Sequence, residues 1–272
     1  GQADRRDVWV LRLPLRSAGG GMPVPRGRSP TTWRVSLCTN ALGKSLVTRH
    51  EPCGVTAVTL SSEYEYHVGF GHHYVARPTV TLRAGSAMFN IGLEVTNLSK
   101  YQSMPLQYMC HMNYAFIPEA RMSQSLPDGA FELRRSVPNH VTPTRQWLRI
   151  NEDILAGKID ADSLVGAEAF DPEIVYFADD LPQYGKTAEF RMQARAHRNF
   201  VTRFRTDQFP VATRWILHNA DQRVAAYVLP GTSRPEGRLA AEAAGTLIHL
   251  DAGATRTFSV TTGLLAQGEA FD

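Results

Sequence analysis

The sequence predicts an all-β fold, because many short apolar or β-branched runs are separated by turn residues and few stretches have helical spacing. The chain has 272 residues, enough for one large β domain or two smaller ones. No fixed-period repeat is visible, which argues against a propeller. Short strands with few helices favour a sandwich of antiparallel sheets.

The clearest strand signals lie in the second quarter of the chain. Residues 75–82 form a β-branched run whose internal Pro78 indicates an edge strand or a bulge. Residues 87–96 follow a Gly-Ser turn and complete a hairpin. Further strands are predicted at 107–114, 173–177, 187–195, 199–205, 212–218, 224–229, 245–250 and 255–262, and short helices only at 151–158 and 238–244.

Composition narrows the possible partners. A net charge of +3 gives no reason to expect a polyanion, and basic residues are not interleaved with aromatic ones along one face, so we expect no nucleic acid. No run reaches membrane-spanning length and no signal peptide is visible, so we expect no membrane partner. The three cysteines have no metal-type spacing, so we expect no metal site and a reducing cytoplasm as the location. The sequence contains no phosphate-binding loop, so we expect no cofactor.

The predicted strand 107–114 carries the most informative polar residues. Gln107, His111 and Asn113 share one parity and therefore one face, whereas Tyr108 and Cys110 point the other way, into the expected core. A strand that places His and Asn on an open face suits the binding of a polyol and the exchange of its protons.

Several linked motifs extend this observation along the chain. They are Glu63-Tyr-Glu-Tyr66, Val95-Thr-Asn97, Tyr108-Met-Cys-His111-Met-Asn113-Tyr-Ala, Asp171-Pro-Glu173, Thr213-Arg-Trp215 and Arg234-Pro-Glu236-Gly. Together they resemble the aldose 1-epimerase (galactose mutarotase-like) superfamily, in particular a bacterial branch of aldose-epimerase family proteins. The resemblance runs from about residue 54 to the C-terminus, and it implies a galactose mutarotase-like supersandwich of antiparallel sheets.

The resemblance also implies catalytic histidines. His111 takes the position of the acid that protonates the sugar, a role that suits a side chain with an ordinary pKa of about 6.5. The alternative is a partly buried histidine bonded to a neighbouring carbonyl. The second, sugar-binding histidine of the superfamily would come from a Leu-His-Gly-Glu motif, in place of which this chain has Thr32-Trp33-Arg34. His72 or His73 could line the cleft instead, and the alternative is that both are exposed turn residues.

The general base is harder to assign. The superfamily carries a Glu before a Pro on a late strand, and here Leu229 precedes Pro230. Leucine cannot accept a proton, so Glu236 is the first substitute and Glu173 the second. The alternatives are a turn residue for Glu236 and a strand-start salt bridge for Glu173.

Further sugar contacts are expected from a late strand. Trp215 can stack on an apolar sugar face, and Arg214 or Arg77 can bind two hydroxyls or an acid group. Arg214 and Trp215 face opposite ways on a strand, so only one of them is expected to line the cleft, and His218 shares the parity of Arg214. A core Trp and a solvated Arg are the alternative.

The first fifty residues have a different character, rich in Arg, Gly and Pro and without alternation. A disordered arm is one interpretation. Back-translation with a shift of one base, however, lets residues 21–34 encode a segment that ends in His-Pro-Leu-His-Gly-Glu, a motif that the family carries upstream of its Glu-Tyr-Glu-Tyr strand. We therefore interpret residues 1–53 as an atypical, out-of-frame segment and 54–272 as the domain, a sandwich that is incomplete at its N-terminus.

Two functions remain open on this basis. The first is an aldose 1-epimerase-like isomerase that interconverts the anomers of a free sugar without a cofactor. The second is a non-catalytic carbohydrate-binding protein on the same fold, which the residue Leu229 favours. A carboxylate opposite His111 would favour the enzyme, and a neutral cleft of Asn, Trp and Tyr would favour binding alone.

Overall fold

The computed structural model describes residues 9–12, 44–50, 54, 56–67, 69, 71–138, 141–194, 197–266 and 268. Within residues 1–53 it therefore describes two short stretches, and both are strands. Trp33, Cys38 and Cys53 lie outside the described residues. The proposed boundary between residues 53 and 54 remains a prediction.

The described secondary structure is dominated by strands. In chain order they are β1 (Trp9–Arg12), β2 (Lys44–His50), β3 (Ala57–His67), β4 (His73–Arg83), β5 (Met88–Asn97), β6 (Met104–Leu106), β7 (Tyr108–His111), β8 (Met122–Gln124), β9 (Glu132–Leu133), β10 (Ile174–Ala178), β11 (Thr187–Gln193), β12 (Arg198–Arg205), β13 (Val211–His218), β14 (Arg223–Gly231), β15 (Ile248–Leu250) and β16 (Thr255–Ala266). The helices are α1 (Arg145–Leu155) and α2 (Arg238–Ala243), with 3-10 turns at Ala167–Ala169 and Leu181–Tyr184.

The strands form two large sheets. One has eight strands in the order β2-β3-β4-β5-β16-β12-β11-β8, and the other has six in the order β1-β7-β14-β13-β10-β9. A small third sheet pairs β15 with β6. All pairings in the described residues are antiparallel except that of β1 with β7. The prediction of an all-β sandwich of antiparallel sheets is confirmed.

The core lies between the two large sheets and is built from alternate residues of each strand. Tyr108 and Cys110 on β7 are buried there, as their parity predicted. The Tyr108 ring packs against Phe258 of the eight-stranded sheet, with centroids 5.0 Å apart, and against Phe209 at 5.7 Å. Aromatic contacts of this kind add to the free energy gained by burial, so they help to hold the sheets together.

Pro78 does not mark an edge or a bulge, and that prediction is wrong. β4 is an inner strand with β3 on one side and β5 on the other, in constant register. The β3 ladder pairs Ser61 with Thr79 and resumes at Tyr64 with Ala76, so it is interrupted beside Pro78. Since proline has no backbone N–H to donate, the interruption accommodates it within the sheet.

The predicted strand 107–114 is two strands rather than one. β6 ends at Leu106 in the small sheet, and β7 begins at Tyr108 in the six-stranded sheet. Gln107 lies at this junction, is buried, and donates through Nε2 to Oγ of Ser233 at 2.5 Å. It therefore does not share an open face with His111, because the alternation of a continuous strand does not extend across the junction.

The long helix α1 begins at Arg145, six residues before the predicted start at 151. Thr144 caps it, since its hydroxyl accepts a hydrogen bond from the backbone N of Trp147 at 3.1 Å. A threonine directly after Pro143 was the sequence signal for this start. Among the described helices, none has both the length and the apolar character that a membrane crossing requires.

Candidate functional site

The candidate site lies on the outer face of the six-stranded sheet, which is the face turned away from the core. On β13 the core-facing residues alternate with Val211, Thr213 and Trp215, which point outward. On β14 a register shift opposite Thr213 and Trp215 interrupts the alternation, so Leu229 lies on the outer face although it shares parity with the core residue Tyr227. Register pairs Thr213 with Leu229 on one side and with Phe177 on the other, so these three buried side chains lie in one row on that face.

His111 ends β7 and lies beside Trp215 on this face. The two rings are 5.9 Å apart between centroids and are inclined at 63°, an edge-to-face arrangement. Trp215 also packs on a small apolar cluster that lies beside the strand ends: Met109, Ala226 and Leu229. The structure thus brings a titratable ring and a large aromatic ring together.

Glu173 lies directly before β10 and contacts the other side of Trp215. Nε1 of Trp215 donates to Oε2 of Glu173 at 2.6 Å, and Nη2 of Arg134 donates to Oε1 at 3.1 Å. The backbone oxygen of Glu173 accepts a hydrogen bond from Nε1 of Trp147 at 3.1 Å. Glu173 therefore forms the salt bridge that the sequence offered as the alternative, and its carboxylate also contacts the Trp215 ring that lies beside His111. Its role as a base stays a prediction.

Leu229 occupies the surface where the resemblance leads one to expect a carboxylate. It is 1% exposed and packs against Met109, Ala226 and Trp215. The position is apolar in packing as well as in sequence. A carboxylate that serves this surface must therefore come from another strand, and Glu173 is the one that the structure places against Trp215.

Glu236 lies at the opposite side of the sheet from His111. Its Oε1 accepts from Oγ of Ser136 at 2.8 Å, and Ser136 follows β9, the last strand of the six-stranded sheet. Four strand spacings of about 4.8 Å separate β7 from β9. The structure therefore does not bring Glu236 to His111, and Glu173, on the nearer strand β10, is the better-placed carboxylate.

Arg214 lies in the core and does not reach the outer face. Its guanidinium donates to Asp162 Oδ1 at 2.7 Å, to the backbone O of Tyr227 at 3.0 Å and to Gln124 Oε1 at 3.1 Å, and it lies over the Phe131 ring at 4.1 Å. Burial lowers the pKa of Arg214, and the nearby Asp162 opposes this shift. Of the two neighbours, Trp215 is the one that lines the candidate site.

Arg77 and His73 lie on the outer surface of the other sheet. Arg77 is bonded to Glu63 at 2.9 Å and to Glu94 at 3.0 Å, both on strands adjacent to β4. His73 Nε2 lies 2.7 Å from Oε1 of Glu65. The structure separates both residues from His111 by the thickness of the sandwich, because alternation on β4 turns them away from the core.

The remaining predicted residues are Asn113, His72 and His218. Asn113 is exposed two residues after β7 ends, close in sequence to His111. His72 is half-buried, and burial followed by the positive charge of Arg238 lowers its pKa. His218 lies at the end of β13, with Nδ1 3.1 Å from the backbone O of Glu168 and its ring 4.7 Å from that of Phe116.

Two contacts at the site were missed in the sequence. Arg134 and Trp147 both bind Glu173, one through its carboxylate and one through its backbone oxygen. The available signal for Arg134 was the short alternation that precedes it at Phe131-Glu-Leu133. Within the described residues, no group of three or more His, Cys, Asp or Glu side chains is arranged to hold a metal ion.

Comparison with known proteins supports the fold. No family model matches the chain, and no curated protein sequence matches it. A candidate aldose 1-epimerase from Klebsiella pneumoniae is similar in structure, with a TM-score of 0.61 and 15% identity over 78% of this chain and 52% of that one. The chain thus spans about half the length of that protein.

Two further solved structures are similar over more of their own length. A candidate aldose 1-epimerase from Escherichia coli gives a TM-score of 0.51 at 15% identity, covering 82% of this chain and 69% of that one. A galactose mutarotase related enzyme from Lactobacillus acidophilus gives 0.53 at 12% identity, covering 85% and 74%. At such low identities the similarity shows the fold and not the activity. It confirms, for the fold, the resemblance predicted from the motifs. The chain has the galactose mutarotase-like fold.

Proposed function

We propose that the protein is an aldose 1-epimerase-like isomerase that acts on the anomeric centre of a free sugar by general acid–base catalysis. The observation that carries this proposal is the position of Trp215 between His111 and Glu173 on one face of the sheet. An aromatic ring flanked by a titratable ring and a carboxylate has the parts needed to hold a pyranose and to move its protons. The proposed partner is a small sugar.

The proposed reaction needs two proton transfers. A base removes the proton of the anomeric hydroxyl while an acid protonates the ring oxygen, so the bond between the anomeric carbon and the ring oxygen breaks and an open-chain aldehyde forms. Rotation about the adjacent carbon–carbon bond and the reverse transfers then give the other anomer. His111 is the proposed acid, and Glu173 is the proposed base.

Other residues of the face have supporting roles in this proposal. The Trp215 ring would pack against the C–H groups of the sugar, and the exposed amide of Asn113 would bind a hydroxyl beside His111. Glu173 accepts from Arg134 and Trp215 with one oxygen each, and a carboxylate has about four acceptor positions, so it can accept a sugar hydroxyl as well. We also propose a reducing cytoplasm as the location, in keeping with the buried free thiol of Cys110.

Polarimetry on freshly dissolved free aldoses tests the proposal. The wild type should accelerate mutarotation, and His111→Asn should reduce the acceleration by roughly 10²- to 10⁴-fold, the usual contribution of a positioned acid or base. Glu173→Gln should give a loss of similar order. His249→Asn is the matched control, because His249 is exposed on β15 and faces Glu242. A wild type that leaves every tested sugar at its uncatalysed rate contradicts the proposal.

The second candidate is a carbohydrate-binding protein without catalysis. Leu229 favours it, since this side chain is packed in the apolar cluster where a base is expected. Titration calorimetry with the same sugars separates the two. Heat of binding without any change in mutarotation rate supports the binding protein, whereas acceleration that depends on His111 supports the isomerase.

A further inference from the structure

Arg134 approaches the candidate site from the edge of the six-stranded sheet. It directly follows β9, and its backbone N donates to the backbone O of Val175 on β10 at 2.8 Å. The residue is therefore fixed to the neighbouring strand by a ladder-type hydrogen bond. Its guanidinium reaches Glu173 from a defined backbone position and not from a free loop.

Each carboxylate oxygen of Glu173 accepts a hydrogen bond from a different side chain. Oε1 accepts from Arg134 at 3.1 Å, and Oε2 accepts from the Trp215 indole at 2.6 Å. The side chains of Arg134 and Glu173 are only 11% and 13% exposed, so water competes weakly for either group. Hydrogen bonds to charged groups are stronger and more directional in such surroundings, and turning the carboxylate would break one of the two.

The contacts continue from Glu173 to His111. The indole that donates to Glu173 is the ring that lies 5.9 Å from His111 at 63°. The order of contact is therefore Arg134, Glu173, Trp215 and His111, from β9 at the edge of the sheet to β7. The indole is thus held by the carboxylate at its N–H and lies beside the proposed acid with its ring.

We infer that Arg134 is a positioning residue of this site, which sets the orientation of Glu173 and, through Glu173, the angle of the Trp215 ring. The catalytic consequence rests on the proposed function, whereas the effect on Trp215 rests on the described contacts alone. A lysine in place of Arg134 keeps the charge but loses the planar guanidinium that fixes direction.

Three variants test the inference by kinetics. Arg134→Met should lower kcat/KM for mutarotation by about tenfold or more, mainly through kcat, because a displaced base loses its near-attack geometry. Arg134→Lys should recover part of that loss. Arg203→Met is the matched control, since Arg203 also pairs with a glutamate, Glu189 at 2.7 Å, but on the eight-stranded sheet; it should stay within about twofold of the wild type.

Intrinsic fluorescence provides a second readout that does not require activity. Arg134→Met should shift the tryptophan emission, and the shift should be absent when Trp215→Phe is combined with it. If Arg134→Met does not fold, Arg134→Lys decides the comparison. Unchanged emission together with kcat/KM within about twofold of the wild type overturns the inference. A Trp215-dependent shift in a protein that does not accelerate mutarotation upholds the positioning role and refutes the proposed function.

Discussion

Arg214 and Trp215 are neighbours in the chain, and their side chains lie on opposite faces of the six-stranded sheet. Arg214 is fully buried, with its guanidinium bonded to Asp162, whereas Trp215 lies on the outer face between His111 and Glu173. One dipeptide on β13 therefore supplies a buried cation of the core and the aromatic ring of the candidate site. Substituting Arg214 and substituting Trp215 should therefore have different consequences.

The buried cation makes stability depend on Asp162. Removing the carboxylate leaves the Arg214 charge uncompensated in the core, and Asp162→Ala should lower the free energy of unfolding by about 3 kcal/mol. The double variant Arg214→Met/Asp162→Ala should lose less than the sum of the single variants, because the unpaired charge is gone. Urea unfolding followed by circular dichroism measures both. Additive losses would show that the pair does not interact.

The two tryptophans that bind Glu173 should differ in their effects. Trp215 donates to the carboxylate on the site face, and Trp147 donates to the backbone oxygen from α1. Trp215→Phe should weaken sugar binding with a stability loss of about 1.5–3 kcal/mol, the contribution of a hydrogen bond to a charged group. Trp147→Phe should reduce stability and leave sugar binding nearly unchanged. Calorimetry and urea unfolding on both variants check this, and equal losses of binding would contradict it.

His72 should titrate below its ordinary range. Burial lowers its pKa, and the charge of Arg238 lowers it further. A histidine whose folded pKa is depressed favours the unfolded chain as protons bind, so this contribution to stability is present above pH 6.5 and is lost as pH falls towards the folded pKa. NMR titration of the ring should show a pKa below 6.5 that rises in Arg238→Gln. An unchanged pKa in that variant would exclude the charge effect.

The thiol of Cys110 should be inert in the folded protein. Burial raises its pKa to about 12, so little thiolate is present near neutral pH. In a Cys38→Ser/Cys53→Ser background, a thiol reagent should react with the native protein slowly and with the urea-unfolded protein at once. Fast labelling under native conditions would show that β7 opens readily, because Cys110 is 1% exposed.

The sequence predicted the fold because strand alternation and turn residues are local patterns. Alternation on β7 determined which side of the sheet Tyr108 and Cys110 face. Parity could not identify which of Arg214 and Trp215 faces the core, since that depends on the partner Asp162, about fifty residues away. Glu236 was chosen before Glu173 because it is close in sequence to Leu229. The order of strands in the sheet nevertheless places Glu236 farther from His111 than Glu173.

Other misses have equally physical causes. Pro78 was expected at an edge or a bulge because it has no backbone N–H to donate. The sequence could not show that β3 leaves a gap in its ladder beside Pro78. Arg134 was missed because the alternation before it indicates a strand but not its long-range partner Glu173. Arg77 attracted attention as a cation, and only the register of β4 shows that it pairs with Glu63 and Glu94 on the other surface.

An apolar patch on the eight-stranded sheet should govern association of the protein. Leu60 and Leu82 belong to the face of β3 and β4 that carries the core-packed Tyr66 and Tyr74, yet they are 46% and 49% exposed. Both side chains are therefore far more exposed than the residues that pack between the sheets. Exposed apolar surface of this kind promotes aggregation.

Replacing both leucines should therefore improve behaviour in solution. Leu60→Thr/Leu82→Thr should reduce light scattering and binding of a hydrophobic dye, while the free energy of unfolding changes by no more than about 1 kcal/mol. Leu93→Thr is the matched control, since Leu93 on β5 faces the same core and is 1% exposed; it should cost at least about 2 kcal/mol. If the double variant loses as much stability as Leu93→Thr, both leucines are covered in solution, and the prediction of an exposed apolar patch is wrong.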